Sequence, residues 1–571
     1  MAIILSIKYG GHDTAASLLI NNEIVASCSQ ERYTRDKHSR KFPIDAINNC
    51  LSIANISLDD LDEIAFVNEY KRYIREIYLR SAINSDERLE FLFNDLDKIK
   101  HFYNIEKFLR DELKFKKKIN FYNHHACHLA SAYYPSGFNE SLCMSIDGMG
   151  ELETQVFAIG SNGRLEILDD QNVYPNSLGL TYSAITDYLG WKHHCDEGII
   201  MGLAPYGDFN KIISSQNKTY KEIFENIIIR EDNLKFSINR DYIDFYSKRD
   251  KWVTDKFIKI FGKKRNYEDS LEDNHKNIAS ALQNRLEEIV LDQLKKINLE
   301  KKFKYLCIAG GVALNCSLNG KIERSKIFNE IFVQPASADD GCTVGACYLA
   351  NTSYQKTTYE PKKYIDSYKG SGFTNDQIET ELNKLNVKYL KSNNIANETA
   401  KEILDGKIIG WFQGRAEFGP RALGNRSILC KPFPKEMKDY LNKKVKFREE
   451  FRPFAPAVMK EFQHEYFDIS QDSYHMLIAC KVLENKKSKI PAVVHVDNTC
   501  RVQTVTKKSN QKFYNLLDEF NKICGVPVLL NTSFNVKGQP IVNTPKEAVE
   551  TFLNTNIDVL VIGDYMLRKK L

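Results

Sequence analysis

Residues 122–151 read Tyr122-Asn-His-His-Ala-Cys-His128-Leu-Ala-Ser-Ala-Tyr-Tyr134 and then, after a Pro/Gly turn, Ser141-Leu-Cys-Met-Ser-Ile-Asp147-Gly-Met-Gly-Glu151. The first half predicts the start of a helix and the second an apolar strand, so this stretch sets a mixed α/β chain. Residues i and i+4 share a helix face, which lets His124 and His128 aim two imidazoles at one ion. Asp147 at the strand end is a candidate third ligand, and two imidazoles with a carboxylate suit a borderline metal. The His-Glu-x-x-His form of a zinc protease is absent, because no Glu base sits inside the motif. The competing reading is three histidines that merely cluster and cap a helix.

Outward from this stretch, the chain has 571 residues, too many for one core, which predicts two to four domains. Apolar residues make up 43% and charged residues 27%, as in globular proteins generally, and the net charge of +5 is small for the length. That balance argues against a nucleic-acid or membrane partner. The 13 cysteines form no CxxC pair. Several sit in apolar runs (Cys143, Cys307, Cys480), the pattern of free thiols in a reducing compartment. The opening run is too short for a signal peptide and Lys8 interrupts it, and no apolar run is long enough to span a bilayer. A cytoplasmic protein is expected.

Toward the N-terminus, residues 2–7 form an apolar strand that runs into Gly10-Gly11-His12-Asp13. Ala15–Ile20 and Ile24–Cys28 flank Asn21-Asn22 as a hairpin. His12 at the glycine turn is a candidate general base, and the basic run 32–41 reads as a solvated loop or an anion holder. Residues 70–118 predict a charged helical layer. Toward the C-terminus, Asp196–Gly207 reads as a ligand-adjacent turn, and 208–272 as a polar segment without a role. The spacing of Ile278, Leu282, Leu286, Ile289 and Leu294 predicts an amphipathic helix over 276–298. A strand then meets Gly310-Gly311-Val-Ala-Leu-Asn315, which offers backbone N–H groups and a helix start to a phosphate. Asp339 or Asp340, after the next strand, can complete the ion site. Residues 352–370 read as a linker.

The last 200 residues predict a second unit. Gly414-Arg415-Ala-Glu-Phe-Gly-Pro-Arg421-Ala-Leu-Gly-Asn-Arg426 places guanidinium forks in a Gly/Pro turn, which suits phosphate or carboxylate recognition. Further basic groups stand at Lys446, Arg448 and Arg452.

Together these motifs resemble one family, the ATP-dependent O-carbamoyltransferases typified by the nodulation-factor and tobramycin carbamoylating enzymes. The matching stretches are Gly10–Ala16, His124-His-x-x-His128, Asp147-Gly, Met201–Gly207, Gly310–Asn315, Asp340-Gly, Gly414–Arg426, Phe447–Pro456, His495-Val-Asp, Arg501–Val505 and Leu530–Asn535. They span the chain almost end to end. One departure is Gly11, where many members carry a bulkier residue.

The resemblance implies a two-lobed actin/hexokinase-like module over 1–355, a linker at 356–370, and over 371–571 an α/β domain similar to threonylcarbamoyl-AMP synthase. It implies that the C-terminal domain makes carbamoyl-AMP from carbamoyl phosphate and ATP, with Mg2+ accompanying the ATP. Arg415, Arg421, Lys446, Arg452, Arg501, Asn531 and Ser533 would bind these substrates, with Arg421 and Lys446 also catalytic. It further implies an Fe2+ ion on His124, His128, Asp147 and Asp339, a nucleotide cradle of Gly310, Gly311 and Asn315, and His12 as the base that deprotonates a hydroxylated acceptor. The expected acceptor is a sugar or specialised metabolite, and a homodimer is compatible with the sequence. The alternative is a tRNA-modifying threonylcarbamoyl-type transferase, which the fused Arg-rich C-terminal unit and modest charge disfavour. A non-enzymatic, nucleotide-binding actin-like protein is the third reading, and it predicts no need for His128 or Arg421.

Overall fold

The computed structural model describes residues 2–249, 251–354 and 362–569. It divides into two compact units: residues 1–12, 16–24 and 55–363, and residues 13–15, 25–54 and 364–571. Of the expected linker 356–370, residues 356–361 lie outside the described residues. From 362 on the chain is irregular up to the helix Asn375–Lys384.

Two sheets carry the same strand order. The strands β1 (Ile3–Lys8), β2 (Ala15–Ile20), β3 (Glu23–Ser29), β4 (Glu63–Val67) and β5 (Lys118–Tyr122) lie in the order β3-β2-β1-β4-β5. In the second sheet the strands are β6 (Glu140–Ile146), β7 (Glu153–Ser161), β8 (Arg164–Ile167), Tyr305–Ala309 and Glu330–Val333. They follow the same third-second-first-fourth-fifth order, and the short strand Asn172–Val173 also pairs with β7. In both sheets the first, fourth and fifth strands run parallel. This duplicated arrangement is the two-lobed actin/hexokinase-like fold.

Local sequence explains the elements. Asn21 and Asn22 take φ of 53° and 67°, the left-handed pair that a tight hairpin needs and that Asn tolerates. The amphipathic spacing of 276–298 becomes the helix Asp273–Lys301, whose Ile278, Leu282, Leu286, Ile289 and Leu294 are all buried. Parallel strands buried on both faces read as continuous apolar runs, as β6 does with Leu142, Cys143 and Met144 fully buried.

Two expectations need correction. The segment 196–207 is a helix, Glu197–Leu203, followed by a turn of 3-10 helix, and not a turn segment throughout. Four of its positions are buried apolar or glycine sites, and packing overrides the Gly/Pro composition. The basic run 32–41 is not a solvated loop. Arg32 is buried and donates to the Gly419 carbonyl, and Arg35 donates to the carbonyls of Pro540 and Ile541.

The second unit is built on an eight-stranded mixed sheet. Its order is Leu390–Lys391, Tyr565–Arg568, Val559–Ile562, Ile409–Phe412, Arg426–Cys430, Val528–Ser533, Ala455–Met459 and Gln503–Val505. Helices Ile395–Leu404 and Gln511–Cys524 pack together, each with an apolar face against the core. No helix among the described residues is long and apolar enough to cross a membrane.

Candidate active site

In the first unit the site residues leave the C-terminal ends of parallel strands, the edge of an α/β sheet where ligands collect. β1 ends at Lys8 just before His12, and β5 leads into the helix His124–Tyr133. β6 leads to Asp147, Tyr305–Ala309 to Gly310, and Glu330–Val333 to Asp339. Asn123 caps the histidine helix by accepting from the Ala126 N–H at 2.9 Å. The buried Glu151 carboxylate accepts from the His124 N–H at 3.1 Å and from Asn123 Nδ2 at 2.8 Å, an anion seated on the positive end of that helix.

These supports bring four ligand atoms together. His124 Nε2 and His128 Nε2 stand 3.1 Å apart, and Asp147 Oδ2 lies 3.0 Å from the first and 3.4 Å from the second. Asp339 Oδ1 lies 3.5 Å from His124 Nε2 and 3.9 Å from His128 Nε2. One ligand atom from each of the four falls within 4.8 Å of all the others, and every residue is buried. Asp339, not Asp340, belongs to this group; Asp340 Oδ1 instead accepts from the Gly341 N–H at 3.0 Å. Two imidazoles and two carboxylates converging in a buried pocket fit a divalent first-row metal ion.

Both carboxylates present one oxygen to the centre and have the other tied. Asp147 Oδ1 accepts from the Gly311 N–H at 3.0 Å. Asp339 Oδ2 lies 3.2 Å from the Lys8 ammonium, which also donates to Asn68 Oδ1 at 2.5 Å. Burial alone would push both carboxyls up. His124 and His128 hold Asp147 well below the usual carboxylate range, and Lys8, then His124, and more weakly His12 hold Asp339 down. Burial lowers His128, favouring the neutral, ligating imidazole. Burial and the two neighbouring imidazoles push His125 down to about 3. Its Nδ1 meets Ser145 Oγ and its Nε2 the Glu153 carbonyl, so this third histidine belongs to the core.

Gly310 has φ of +93°, and a Cβ there would stand 2.1 Å from the Ile146 carbonyl oxygen, so only glycine lets the two strand ends meet. Asn315 caps the following helix Cys316–Arg324 through the Leu318 N–H and donates to Gln283 Oε1 at 2.8 Å.

In the second unit, Lys446 closes the π-helical turn Asn442–Lys446, an element frequent at functional sites. Its ammonium donates to Asn535 Oδ1 at 2.7 Å, to the carbonyls of Ser533 and Asn535, and to Ser533 Oγ at 3.2 Å. Burial lowers Lys446 well below an ordinary lysine, and Arg448, Arg452 and Lys37 add to the effect. Arg448 is likewise lowered, by burial and then by Arg452 and Arg501 despite Glu449. Asn531 and Ser533 share one face of their strand, and Asn531 Nδ2 donates to Gln503 Oε1 at 2.9 Å. The buried Arg501 Nε and Asn531 Oδ1 find no hydrogen-bond partner among the described residues.

Two arginines of the Gly/Pro turn bond backbone carbonyls. Arg415 donates to the carbonyls of Gly370, Val25 and Lys369. Arg426 is fully buried, its guanidinium 3.6 Å from the Phe412 ring centre, and donates to the carbonyls of Gln413, Asn425, Ser371 and Gly414. Both hold the loop in shape. Sequence reasoning passed over Lys8 and Glu151. A lysine in an otherwise apolar strand just before Gly-Gly was the available signal for the first, and an acid closing the glycine turn Gly148-Met-Gly150 for the second.

The family profile described as Carbamoyltransferase N-terminus matches residues 3–348, and that described as Carbamoyltransferase C-terminus matches residues 400–569. The chain belongs to the carbamoyltransferase family. Among its relatives is nodulation protein NolNO of Sinorhizobium fredii, 36% identical over 575 residues that cover 98% of this chain and 79% of that protein. An uncharacterised Synechocystis protein is 36% identical over 100% of this chain and 97% of its own length. The 3'-hydroxymethylcephem-O-carbamoyltransferase of Streptomyces clavuligerus is 35% identical over 264 residues, 46% of this chain and 49% of that enzyme. As a carbamoyltransferase-family chain, the protein is a transferase, and its family relationships support transfer of the carbamoyl group to oxygen.

Proposed function

We propose that this carbamoyltransferase makes carbamoyl-AMP from carbamoyl phosphate and ATP and transfers the carbamoyl group to a hydroxyl of a sugar or specialised metabolite. The observation that carries the nucleotide step is the group of Lys446, Arg448, Arg452 and Arg501, a buried ammonium with three part-buried guanidiniums, where the buried atoms Arg501 Nε and Asn531 Oδ1 find no hydrogen-bond partner among the described residues. Cations crowded around a buried ammonium favour an anion among them, and Glu449, 3.5 Å from Arg452, is one carboxylate beside four cations, so the group suits phosphates.

Carbamoyl phosphate gives carbamate and phosphate on hydrolysis; the carbamate oxygen then attacks the α-phosphorus of ATP and pyrophosphate leaves. Lys446, Arg452 and Arg501 offset charge on the transferring groups, and Arg421 reaches the same substrates; Mg2+ accompanies the ATP. Asn531 and Ser533 orient the carbamoyl end. Arg415 contributes by holding the loop that carries Arg421.

In the first unit, His124, His128, Asp147 and Asp339 would hold an Fe2+ ion, which supplies Lewis-acid polarisation and a seat for the AMP phosphate. Gly310 and Gly311 let the nucleotide approach the backbone, and Asn315 fixes the helix start beside it. His12 accepts the proton from the attacking hydroxyl, whose oxygen forms the new C–O bond as AMP leaves.

The test is pyrophosphate release from ATP by the full-length protein without acceptor. Release that needs carbamoyl phosphate and vanishes in Arg421→Ala and Lys446→Met supports the reading. Release indifferent to carbamoyl phosphate overturns it.

A further inference from the structure

His124 and His128 belong to a second group of donors that the chemistry above does not use. Cys342 Sγ and one ring nitrogen from each histidine all lie within 4.8 Å of one another, and all three residues are buried. Cys342 opens the helix Cys342–Thr352, directly after the 3-10 turn Asp339–Gly341 that carries Asp339. That helix packs on the histidine helix so closely that a Cβ at Gly345 would stand 1.8 Å from the Cys127 carbonyl oxygen. The close approach brings the Cys342 thiol to the histidines, where it donates to the His124 carbonyl at 3.8 Å.

A buried thiol needs no function by itself, but the imidazole nitrogens around it are arranged unusually. A metal-bound histidine almost always has its second ring nitrogen held by a hydrogen bond, which fixes the ring. His125, a core residue, has both nitrogens held. In His124 and His128 only Nε2 is engaged, and each Nδ1 is buried without a hydrogen-bond partner among the described residues. No bond on the second nitrogen locks either ring to the carboxylate side, and a turn about Cβ–Cγ offers a nitrogen to the sulfur.

The two donor sets differ in chemistry. Two imidazoles with Asp147 and Asp339 make an oxygen-containing set that suits Fe2+ or Mn2+. Two imidazoles with a thiolate make a softer set that suits Zn2+ and, softer still, Cd2+.

We propose that Cys342 is an alternative ligand through which thiophilic ions, Cd2+ and Zn2+, capture His124 and His128. The thiol proton leaves to solvent as the sulfur–metal bond forms and a water leaves the ion; no electron is transferred. The captured imidazoles are then lost to the ion that the carboxylates favour. The proposal rests on the reading of His124 and His128 as a metal centre and is independent of carbamoyl transfer.

The experiment uses the full-length protein in which Cys195→Ser and Cys524→Ser remove the two cysteines that are not buried. Cd2+ should raise an ultraviolet sulfur-to-cadmium absorption in this parent, and neither Cys342→Ser nor His128→Ala should show it. Cys342→Ser should weaken Cd2+ binding at least about tenfold, since losing even a partner outside the coordination sphere costs that much. Mn2+ binding, followed by electron paramagnetic resonance, should be the same in parent and Cys342→Ser, which also reports that the variant is folded. A second readout needs no further variant: the cadmium NMR resonance of the parent should lie where one sulfur and two nitrogens place it, downfield of an oxygen–nitrogen site. Absorption that survives in Cys342→Ser, equal Cd2+ affinity in the two proteins, or an oxygen–nitrogen resonance overturns the proposal. Mn2+ binding without the sulfur band removes Cys342 alone; a parent that binds neither ion overturns the metal-centre reading with it.

Discussion

The Lys8 ammonium lies 3.2 Å from Asp339 Oδ2, while Oδ1 of the same carboxylate lies 3.5 Å from His124 Nε2. One buried lysine thus decides which oxygen of a metal-type ligand faces the centre. It also supplies a positive charge that partly offsets two buried carboxylates.

Replacing that lysine separates the two roles. Lys8→Met breaks a buried ion pair and should destabilise the ion-free protein by about 3 kcal/mol. It also removes a cation that repels any ion at the site, so Co2+ should stabilise the variant more than the wild type. Urea unfolding with and without Co2+ measures both effects. An equal Co2+ increment in the two proteins would show that Lys8 has no electrostatic influence on the site.

His128→Ala removes one of two imidazole ligands that stand 3.1 Å apart. Co2+ binding, followed by its visible absorption, should weaken by at least about a hundredfold. His125→Gln should keep Co2+ binding while costing stability, because His125 bonds Ser145 and the Glu153 carbonyl and not the centre. Loss of Co2+ binding in both variants to the same degree would contradict this division.

The buried guanidinium of Arg426 gives a contrast with Arg421. Arg426→Ala leaves the carbonyls of Gln413, Asn425, Ser371 and Gly414 without their donor and should cost about 3–5 kcal/mol. Arg421→Ala should abolish pyrophosphate release. Thermal unfolding and the release assay, run on both variants, check the prediction. A large stability loss in Arg421→Ala would place that residue in the loop's scaffold instead.

Phosphate binding should take up protons. Burial, and then Arg448 and Arg452, hold Lys446 well below an ordinary lysine. A bound phosphate favours the charged amine and raises its pKa again. The complex therefore carries more protons than the free protein, and affinity is full below the free-state pKa and falls as pH rises through it. Calorimetric titration with inorganic phosphate in two buffers of different ionisation heat measures the uptake. Net proton release would contradict the assignment of Lys446 to the anion group.

Much of the site was legible because its residues lie where a strand becomes a turn. Those turns carry recognisable words, such as Gly-Gly-His-Asp, His-His-x-x-His and Gly-Gly-Val-Ala-Leu-Asn. The i, i+4 spacing of His124 and His128 already implied a shared target. The glycine pair at 310–311 pointed to backbone N–H groups offered to a phosphate, and the structure adds that a Cβ at Gly310 would stand 2.1 Å from the Ile146 carbonyl oxygen. What escaped notice acts on another residue and not on a ligand. Lys8 looked like a flaw in an apolar strand, and Arg415 and Arg426 looked the same as Arg421, because the letters do not show that the guanidiniums of Arg415 and Arg426 hold backbone carbonyls.

The sequence by itself determined the α/β class, the strand–turn words and the family likeness, since these depend on neighbours within a few residues. Only the tertiary structure decided that Asp339 rather than Asp340 faces the histidines, that His125 is core, and that residues 25–54 group with the C-terminal unit. It alone brought Cys342 beside His124 and His128. Each of these rests on which side chains meet across long stretches of chain. Burial and charge pairing among them set the outcome, and neither is visible until the strands have found their places in the two sheets.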